Sequence, residues 1–225
     1  MKFKSIAIDG PCGAGKSTLA RRLAEALGYL YVDTGAIYRT VGLYVRRQGA
    51  DPKDAAAVGA LLPEIHIEMA YSGDGLQQMR LNGEDVTEAI REHAVSACAS
   101  DVAAVPAVRA FLLEMQRRTA REHSVVMDGR DIGTTVLPEA DLKVYLTASP
   151  EVRARRRYQE LLSRGQSADY DKVLCDVISR DAEDMNRAVS PLRKAEDAAE
   201  VDTTLLSFEE SFQRLLALAK ERLHE

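Results

Sequence analysis

The most constraining feature of this sequence is the glycine-rich stretch GPCGAGKS at residues 10–17. It follows an apolar run at 6–8 and precedes a segment in which Leu19, Leu23 and Leu27 recur at helical spacing. A strand, a glycine-rich loop and a helix in this order, with the pattern GxxxxGKS/T, are typical of a loop that binds nucleotide phosphates. The alternative is an ordinary glycine turn with a surface lysine, which requires neither the full pattern nor this context. The stretch therefore predicts an α/β protein that binds a nucleoside triphosphate.

The glycines and the polar side chains of this loop have distinct predicted roles. Glycines let successive backbone N–H groups surround a phosphate, and the dipole of the following helix adds to the attraction. Lys16 is expected to reach the β- and γ-phosphates of ATP and Ser17 to ligate Mg²⁺, with Thr18 as a second hydroxyl within reach. The predicted ATP-binding residues are Gly10, Pro11, Cys12, Gly13, Ala14, Gly15, Lys16, Ser17 and Thr18.

Apolar runs alternate with helical patterns along the rest of the chain. Further strands are predicted at 29–33, 125–127 and 142–148, with a weaker one near Val201. Helices are predicted over 35–48, 101–122, 150–163 and 170–185. A last helix is expected after Ser207 and Glu210, which have capping-box spacing. Strands that alternate with helices indicate a P-loop NTPase core, with a parallel sheet flanked by helices.

One segment, near residues 63–93, departs from this alternation. Its apolar residues occur at every second position, and it contains the turn signals GDG and Asn82-Gly83. These features predict a small antiparallel insert close in sequence to a candidate substrate-binding region, and the alternative is a decoration without a functional role. The chain is predicted to be one P-loop unit over 1–225, with an insert at 63–93 and a lid at 153–185. The core then comprises 1–62, 94–152 and 186–225.

Composition and charge exclude several classes of partner. Thirty Lys and Arg residues and thirty-five Asp and Glu residues give a net charge of −5, which argues against binding of nucleic acid by overall electrostatic attraction. No run of about 18 apolar residues occurs, so no membrane partner is expected. The three cysteines lack metal-binding or paired spacing and are interpreted as reduced thiols. We expect a cytoplasmic protein, and a monomer because the sequence contains no heptad seam.

Arginines are concentrated where a phosphoryl-transfer enzyme needs them. Phosphoryl transfer requires cations around two phosphate-bearing ligands, and the planar guanidinium matches phosphate oxygens. The candidates are Arg39, Arg130, the cluster at 153–157, Arg180 and Arg187. Asp128 ends an apolar strand, where a carboxylate of the Mg²⁺ shell is expected, although it is also a common turn residue. The arginine cluster is interpreted as part of a closing lid, and its alternative is a solvated helix face.

Five strings carry a specific resemblance, and they follow one another in order along nearly the whole chain. They are IAIDGPCGAGKST, VDTGAIYR, SACASDVAAVPAVR, DGRDIGT and RDAEDMNRAVSPL. In these strings the chain resembles the bacterial cytidylate (CMP) kinase family. The resemblance implies a nucleoside monophosphate kinase fold with a lid and an enlarged insert. It also implies transfer of a phosphoryl group from MgATP to CMP or dCMP, in pyrimidine metabolism.

The resemblance assigns roles to individual residues of this sequence. It implies that Thr34, Arg39 and Arg130 lie near the acceptor phosphate. It implies that Ser100, Arg109 and Asp131 face the cytosine, with Arg187 nearby, and that Arg180 and Asp184 hold the ribose. The predicted catalytic residues are Lys16, Asp128, Arg130, Arg156 and Arg157.

Three other functions remain open at this level. A kinase that accepts both UMP and CMP would use nearly the same residues. A kinase for a small non-nucleotide acceptor, such as shikimate or a sugar acid, would share the loop and the lid but would not need a cytosine-facing set. A regulatory NTP-binding module would hydrolyse ATP slowly and transfer nothing.

Overall fold

The computed structural model describes residues 3–73, 75–163 and 165–223. Its strands are β1 (Ser5–Asp9), β2 (Leu30–Asp33), β3 (Ile67–Tyr71), β4 (Gln77–Leu81), β5 (Glu84–Asp85), β6 (Val125–Gly129), β7 (Leu142–Thr147) and β8 (Ala199–Asp202). Its α-helices are α1 (Lys16–Leu27), α2 (Thr34–Arg47), α3 (Ala55–Leu61), α4 (His93–Val102), α5 (Pro106–Glu122), α6 (Pro150–Ser163), α7 (Tyr170–Asn186) and α8 (Phe208–Leu223). Short 3₁₀ turns occupy Leu62–Glu64 and Ala89–Arg91, and a π-helical turn occupies Ile132–Val136.

Five strands form a parallel sheet in the order β2-β6-β1-β7-β8, which confirms the predicted α/β core. Side chains alternate along β1, so Ile6 and Ile8 pack with α1 and α8, whereas Ala7 belongs to the core on the other face. That second core includes apolar side chains of α2, α4 and α5. Helices therefore cover both faces of the sheet, as buried parallel strands require.

The carboxyl ends of three neighbouring strands bring acidic residues to one edge of this sheet. Asp33 of β2 is in register with Asp128 of β6, and Asp9 of β1 is in register with Gly129. Ligands of open α/β sheets bind outside the carboxyl ends of the strands. The fold therefore positions the loop at 10–15 and the loop after Gly129 side by side, where a ligand can contact both.

A second, antiparallel sheet, β3-β4-β5, lies within the segment predicted to be an insert. Asn82 and Gly83 have positive φ angles of 51° and 86°, the conformation of a type I′ hairpin turn, as the dipeptide predicts. The predicted turn at GDG includes Asp74, which lies outside the described residues. The antiparallel sheet is confirmed, whereas the boundaries of insert and lid remain predictions.

The helices match the sequence pattern except around Pro106. One helix was expected over 101–122, but α4 ends at Val102 and α5 begins at Pro106. Proline has no N–H to donate and its φ suits the first turn, so it starts a helix and interrupts one that would run through it. Helix α3 was not predicted, and neither was α4 apart from its last two residues. The capping box is confirmed, because the Ser207 and Glu210 side chains exchange hydrogen bonds with each other's backbone N–H.

Within the described ranges, no single helix is long and apolar enough to cross a membrane. Only α4 and α5 taken together reach that length and composition, and they meet at a bend of 100°.

Candidate active site

The glycine loop between β1 and α1 has the tight backbone that the motif requires. A Cβ atom on Gly10 would lie 1.9 Å from the carbonyl oxygen of Leu146, so only glycine fits there. Gly13 and Gly15 have φ angles of 75° and 88°, in the left-handed region that favours glycine. Gly15 is also the N-cap of α1, so the loop leads directly into a helix N-terminus.

Lys16 is more enclosed than its position in the motif indicates. It is the first residue of α1, only 5% exposed, and its Nζ donates to the carbonyl oxygen of Pro11 at 2.7 Å. Burial lowers the pKa of Lys16, and the nearby charge of Arg130 lowers it further. Lys16 is therefore not the surface lysine of an ordinary glycine turn. The buried ammonium is held where phosphate would replace the carbonyl as its partner.

Asp128, at the end of β6, is the centre of a buried hydrogen-bond network. Its Oδ2 accepts from the Ser17 hydroxyl at 2.9 Å, and its Oδ1 accepts from the Tyr31 hydroxyl at 3.0 Å. Burial raises the pKa of Asp128, and the charge of Asp33 contributes in the same direction. Asp128 thus lies beside the motif serine, as the sequence predicts. The contribution of Tyr31 was missed, because nothing in its local sequence indicates a partner 97 residues away.

The oxygen atoms around Ser17 suit Mg²⁺. A hydroxyl and a carboxylate are hard ligands, and Mg²⁺ in nucleotide sites takes few protein ligands because phosphates and water supply the others. No group of three or more His, Cys, Asp or Glu residues in the described part of the chain could form an all-protein metal cage. Ser17 and Asp128 therefore fit a cation that arrives with a nucleotide.

A cavity of about 560 Å³ opens above the glycine loop. It is lined by residues 13–19, by Arg156 and Arg157 of α6, and by Phe208 at the start of α8. Arg156 donates to the carbonyl oxygen of Thr203 at 2.9 Å, and Arg157 pairs with Glu160 at 2.8 Å. Two of the three arginines predicted to be catalytic, Arg156 and Arg157, thus lie beside the predicted ATP-binding residues.

The arginines of the cluster at 153–157 do not form one solvated face. Arg153 is 3% exposed and makes two hydrogen bonds to the Asp181 carboxylate, at 3.1 and 2.5 Å. It also donates to the carbonyl oxygen of Cys12 at 2.9 Å. Arg153 therefore joins α6 to both α7 and the glycine loop. Arg155 is exposed, so the arginines of the cluster differ in burial, and the sequence does not indicate this difference.

Five predicted residues, buried or partly buried, form a set that we call the arginine–carboxylate network. Arg130 donates from Nε to Asp184 at 2.8 Å, and Arg109 donates from Nη1 to Asp131 at 2.8 Å. Arg187 lies 3.4 Å from Asp131 and 3.6 Å from Asp184, so it links the two pairs. Burial alone would raise the pKa of Asp184, but the charges of Arg130 and Arg187 outweigh it and the pKa is lowered.

The arginine–carboxylate network lies close to the glycine loop. The charges of Arg130 and Arg180 lower the pKa of the Cys12 thiol, although its burial acts in the opposite direction. The structure therefore brings residues of α7 and the DGRD segment close to the phosphate loop. Arg180 also lies 3.4 Å from the carbonyl oxygen of Ser96 on α4. Residues predicted to bind the acceptor thus lie close enough to Cys12, a residue predicted to bind ATP, for their charges to affect it.

The remaining predicted acceptor residues lie on α2 and α4. Thr34 is buried and donates from Oγ1 to the carbonyl oxygen of Asp128 at 2.7 Å. Arg39 pairs with Asp33 at 2.8 Å, and its Nε is buried without a hydrogen-bond partner among the described residues. Ser100 is half-buried on α4, and no hydrogen bond among the described residues joins it to the network.

Asp9 is a buried carboxylate that the sequence interpretation treated only as the end of a strand. Its Oδ1 accepts from the N–H of Ile132 at 2.8 Å, and its Oδ2 accepts from the N–H of Gly133 at 2.7 Å. Burial raises the pKa of Asp9 to about 6. Asp9 thus fixes the π-helical turn that directly follows Arg130 and Asp131. The available signal was a carboxylate at the end of a buried strand, immediately before the glycine motif.

The parallel sheet, the glycine loop and the cation-rich cavity define a P-loop kinase. A solved gluconokinase from Sinorhizobium meliloti shares this fold, with a TM-score of 0.50 and 16% identity over 100% of this chain and 97% of that one. The family model for cytidylate kinase matches residues 6–221.

Curated relatives agree with the family model. The cytidylate kinase of Caldicellulosiruptor bescii is 49% identical, over 97% of this chain and 96% of its own. That of Geobacter sulfurreducens is 46% identical, over 96% and 93% respectively. The chain belongs to the cytidylate kinase family. The resemblance seen in the sequence motifs is therefore confirmed.

Proposed function

We propose that the protein transfers the terminal phosphoryl group of MgATP to CMP and dCMP, giving ADP and CDP or dCDP. The observation that supports this proposal is the arginine–carboxylate network close to the glycine loop, because its fixed cations suit the phosphate of a second ligand. Family membership and curated relatives named cytidylate kinase support CMP as the acceptor.

The residues of the chain supply charge and position for an in-line transfer. An oxygen of the CMP phosphate bonds to the γ-phosphorus of ATP while the bond from that phosphorus to the bridging oxygen of ADP breaks. Lys16 and the nearby Arg130 would supply positive charge, and Arg156 and Arg157 line the cavity proposed for the donor phosphates. Fixed cations in a site shielded from water stabilise the charge that spreads over the transferred group.

The acceptor groups are proposed to divide between phosphate and base. Thr34, Arg39 and Arg130 would hold the CMP phosphate, and Arg180 and Asp184 the ribose. Ser100, Arg109 and Asp131 would read cytosine, with Arg187 supporting Asp131 at 3.4 Å. A carboxylate only accepts hydrogen bonds, so it suits the 4-amino group of cytosine and opposes the 4-carbonyl of uracil.

Mg²⁺ is proposed to be held by Ser17, with Asp128 adjacent. When bound, the metal would neutralise phosphate charge and orient the nucleotide. The hydroxyl of Ser17 lies 2.9 Å from Asp128, so either oxygen can turn toward a cation or a water bound to it. The fixed position of Asp128 depends on Tyr31, whose hydroxyl holds the other carboxylate oxygen.

We further infer that residues 153–185 act as a lid and 63–93 as an acceptor-binding insert. Arg156 and Arg157 support the lid, because they lie over the glycine loop on a helix that packs mainly against α7. We infer a monomer, because the sequence contains no heptad seam, and a cytoplasmic enzyme, because free nucleotides are its substrates. Light scattering of the purified protein tests the monomer.

One experiment distinguishes the proposed function from three alternatives. Initial rates are measured with CMP, dCMP, UMP, AMP, GMP and gluconate as acceptors, at fixed ATP with and without Mg²⁺. We expect CMP and dCMP to be used well, UMP poorly and the others hardly at all, with no turnover when Mg²⁺ is omitted. Equal rates with CMP and UMP would indicate the broader kinase. Turnover of gluconate alone would indicate a small-acceptor kinase, and ADP release independent of any acceptor would indicate a nucleotide-hydrolysing module.

A further inference from the structure

Gln77, the first residue of β4, connects the antiparallel sheet to the parallel sheet through a single side chain. Its Oε1 accepts from the backbone N–H of Asp33 at 2.7 Å, and its Nε2 donates to the backbone carbonyl of Asp33 at 3.3 Å. Asp33 is the last residue of β2, the edge strand of the parallel sheet. The amide thus makes the two hydrogen bonds that a neighbouring strand would make with Asp33.

The side chain of Asp33 in turn holds α2, so the backbone position that Gln77 fixes also affects this helix. Its Oδ1 accepts from the N–H of Ala36 at 3.0 Å and caps the helix, and its Oδ2 accepts from Arg39 at 2.8 Å. The space around this pair is tight, because a Cβ atom on Gly35 would lie 2.9 Å from Nη1 of Arg39 and 3.0 Å from Oδ1 of Asp33. A change in the backbone position of Asp33 would therefore move the guanidinium of Arg39.

Arg39 can donate a hydrogen bond to a further acceptor. Its Nε is buried and has no hydrogen-bond partner among the described residues, while one terminal nitrogen is held by Asp33. A buried donor without a partner is costly, and an anionic oxygen would satisfy it with a charge-assisted bond. This hydrogen bond forms only when the guanidinium of Arg39 is correctly oriented, and that orientation depends on Asp33.

We propose that Gln77 is a positioning residue for the acceptor phosphate, which it acts on through Asp33 and Arg39 without touching the substrate. The inference rests on the proposed function, in which Arg39 binds the phosphate of CMP. It differs from a purely structural role, in which Gln77 only fastens the antiparallel sheet to the core. A structural role predicts a general loss of stability and activity, whereas positioning predicts a selective loss of CMP affinity that vanishes without Arg39.

A double-mutant cycle with a matched control tests the proposal. The variants are Gln77→Ala, Arg39→Ala and the double variant. The control is Gln78→Ala, the next glutamine of β4, whose side chain points to the opposite face of the strand. Steady-state KM for CMP, KM for ATP and kcat are measured at saturating co-substrate. Gln77→Met, which keeps the length of the side chain without its amide, serves if the alanine variant is unstable.

We expect Gln77→Ala to raise KM for CMP by about five- to tenfold, the usual effect of losing hydrogen bonds of this kind. KM for ATP and kcat should change by less than about twofold. Arg39→Ala should raise KM for CMP further, and the double variant should match Arg39→Ala alone, because both changes remove one interaction. Gln78→Ala should resemble the unmodified protein.

Other outcomes overturn the proposal in distinguishable ways. If Gln77→Ala and Gln77→Met leave KM for CMP unchanged while Arg39→Ala raises it, Gln77 does not position Arg39 and the proposed function stands. Additive losses in the double variant, or equal increases in KM for ATP and CMP, show that Gln77 is only structural. If Arg39→Ala itself leaves KM for CMP unchanged, the phosphate-binding role of Arg39 fails and the inference falls with it.

Discussion

Arg109 and Asp131 form a buried ion pair, with 2.8 Å between Nη1 and Oδ2 and less than a tenth of either side chain exposed. A pair so enclosed is costly unless both groups have further partners, and Arg109 has one in the carbonyl oxygen of Ala103. The other oxygen of Asp131 faces Arg187. Asp131 is therefore fixed from two sides, in the segment proposed to read the base.

Asp131→Asn is expected to lower kcat/KM for CMP and to narrow the preference for CMP over UMP by at least about tenfold. An amide can turn its NH₂ toward the 4-carbonyl of uracil, which a carboxylate repels. Rates with both nucleotides test this, with Asp197→Asn as a control because Asp197 pairs with Lys143 at the surface. Equal loss with CMP and UMP would show that Asp131 holds the arginines without reading the base.

Lys16→Met is expected to reduce kcat by at least about a hundredfold, because the variant lacks the charge that follows the transferred group. Burial disfavours the ammonium, so the variant should unfold at the same temperature or higher. Lys143→Met is the control, since the Lys143 side chain is only 9% exposed but pairs with Asp197 outside the site. A folded Lys16→Met protein with normal kcat contradicts the assignment of the glycine loop.

Ser17→Ala is expected to raise the Mg²⁺ concentration needed for half-maximal rate by about tenfold, because it lacks the predicted hydroxyl ligand. Thr18→Ala is the matched control, since its hydroxyl is adjacent in the sequence but makes no contact with Asp128 among the described residues. Magnesium titrations at fixed ATP measure the effect, and chelation of the metal should stop turnover of all three proteins. A larger effect of Thr18→Ala would move the metal-binding role to that residue.

Arg157→Ala is expected to raise KM for ATP by about tenfold, whereas Arg155→Ala should have little effect. The two residues belong to the same arginine cluster, but Arg157 lines the cavity over the glycine loop and Arg155 is exposed. Steady-state kinetics with ATP as the varied substrate separate them. Similar kinetics for both variants would indicate that the cluster is a solvated face.

The pH profile of kcat/KM for CMP is expected to fall below about pH 6, because Asp9 becomes protonated there. Above that pH the carboxylate accepts both backbone N–H groups of the π-helical turn, and protonation removes one acceptor and loosens the segment after Asp131. The pH–rate profile of Asp9→Asn should lose this decrease, apart from a contribution of Asp128, whose pKa burial also raises. An unchanged profile in the variant would show that Asp9 does not control the decrease at acidic pH.

The raised pKa of Asp9 favours the folded state at acidic pH, whereas the activity is expected to fall there. Because the folded-state pKa of Asp9 lies above its ordinary value of 3.8, the folded protein binds this proton more tightly than the unfolded chain. The contribution of Asp9 to the free energy of unfolding therefore decreases as pH rises from about 4 to 6. Denaturant unfolding across this range should show that decrease, and Asp9→Asn should reduce it.

The sequence alone determined the features that depend on short-range conformational preferences. The glycine loop requires backbone angles and a close approach that only glycine permits, Asn82-Gly83 selects a type I′ turn, and the capping box starts the last helix. Alternation of apolar runs with helical patterns then specified a parallel sheet. The interruption at Pro106 also has a local cause, because a proline cannot continue a hydrogen-bonded helix, although the helix predicted over 101–122 ran through it.

Only the tertiary structure decided which charged groups meet and which are buried. Asp9 reaches backbone groups 123 and 124 residues away, and Asp128 is held by a tyrosine 97 residues away. Arg153 turns inward to Asp181 while its neighbour Arg155 stays in solvent. Thirty cationic and thirty-five acidic side chains allow many pairings that are equivalent in sequence. These pairings differ in free energy only once the packed sheet and helices fix the distance between the charges and the burial of each. Distance and burial then determine the free-energy cost of each buried charge.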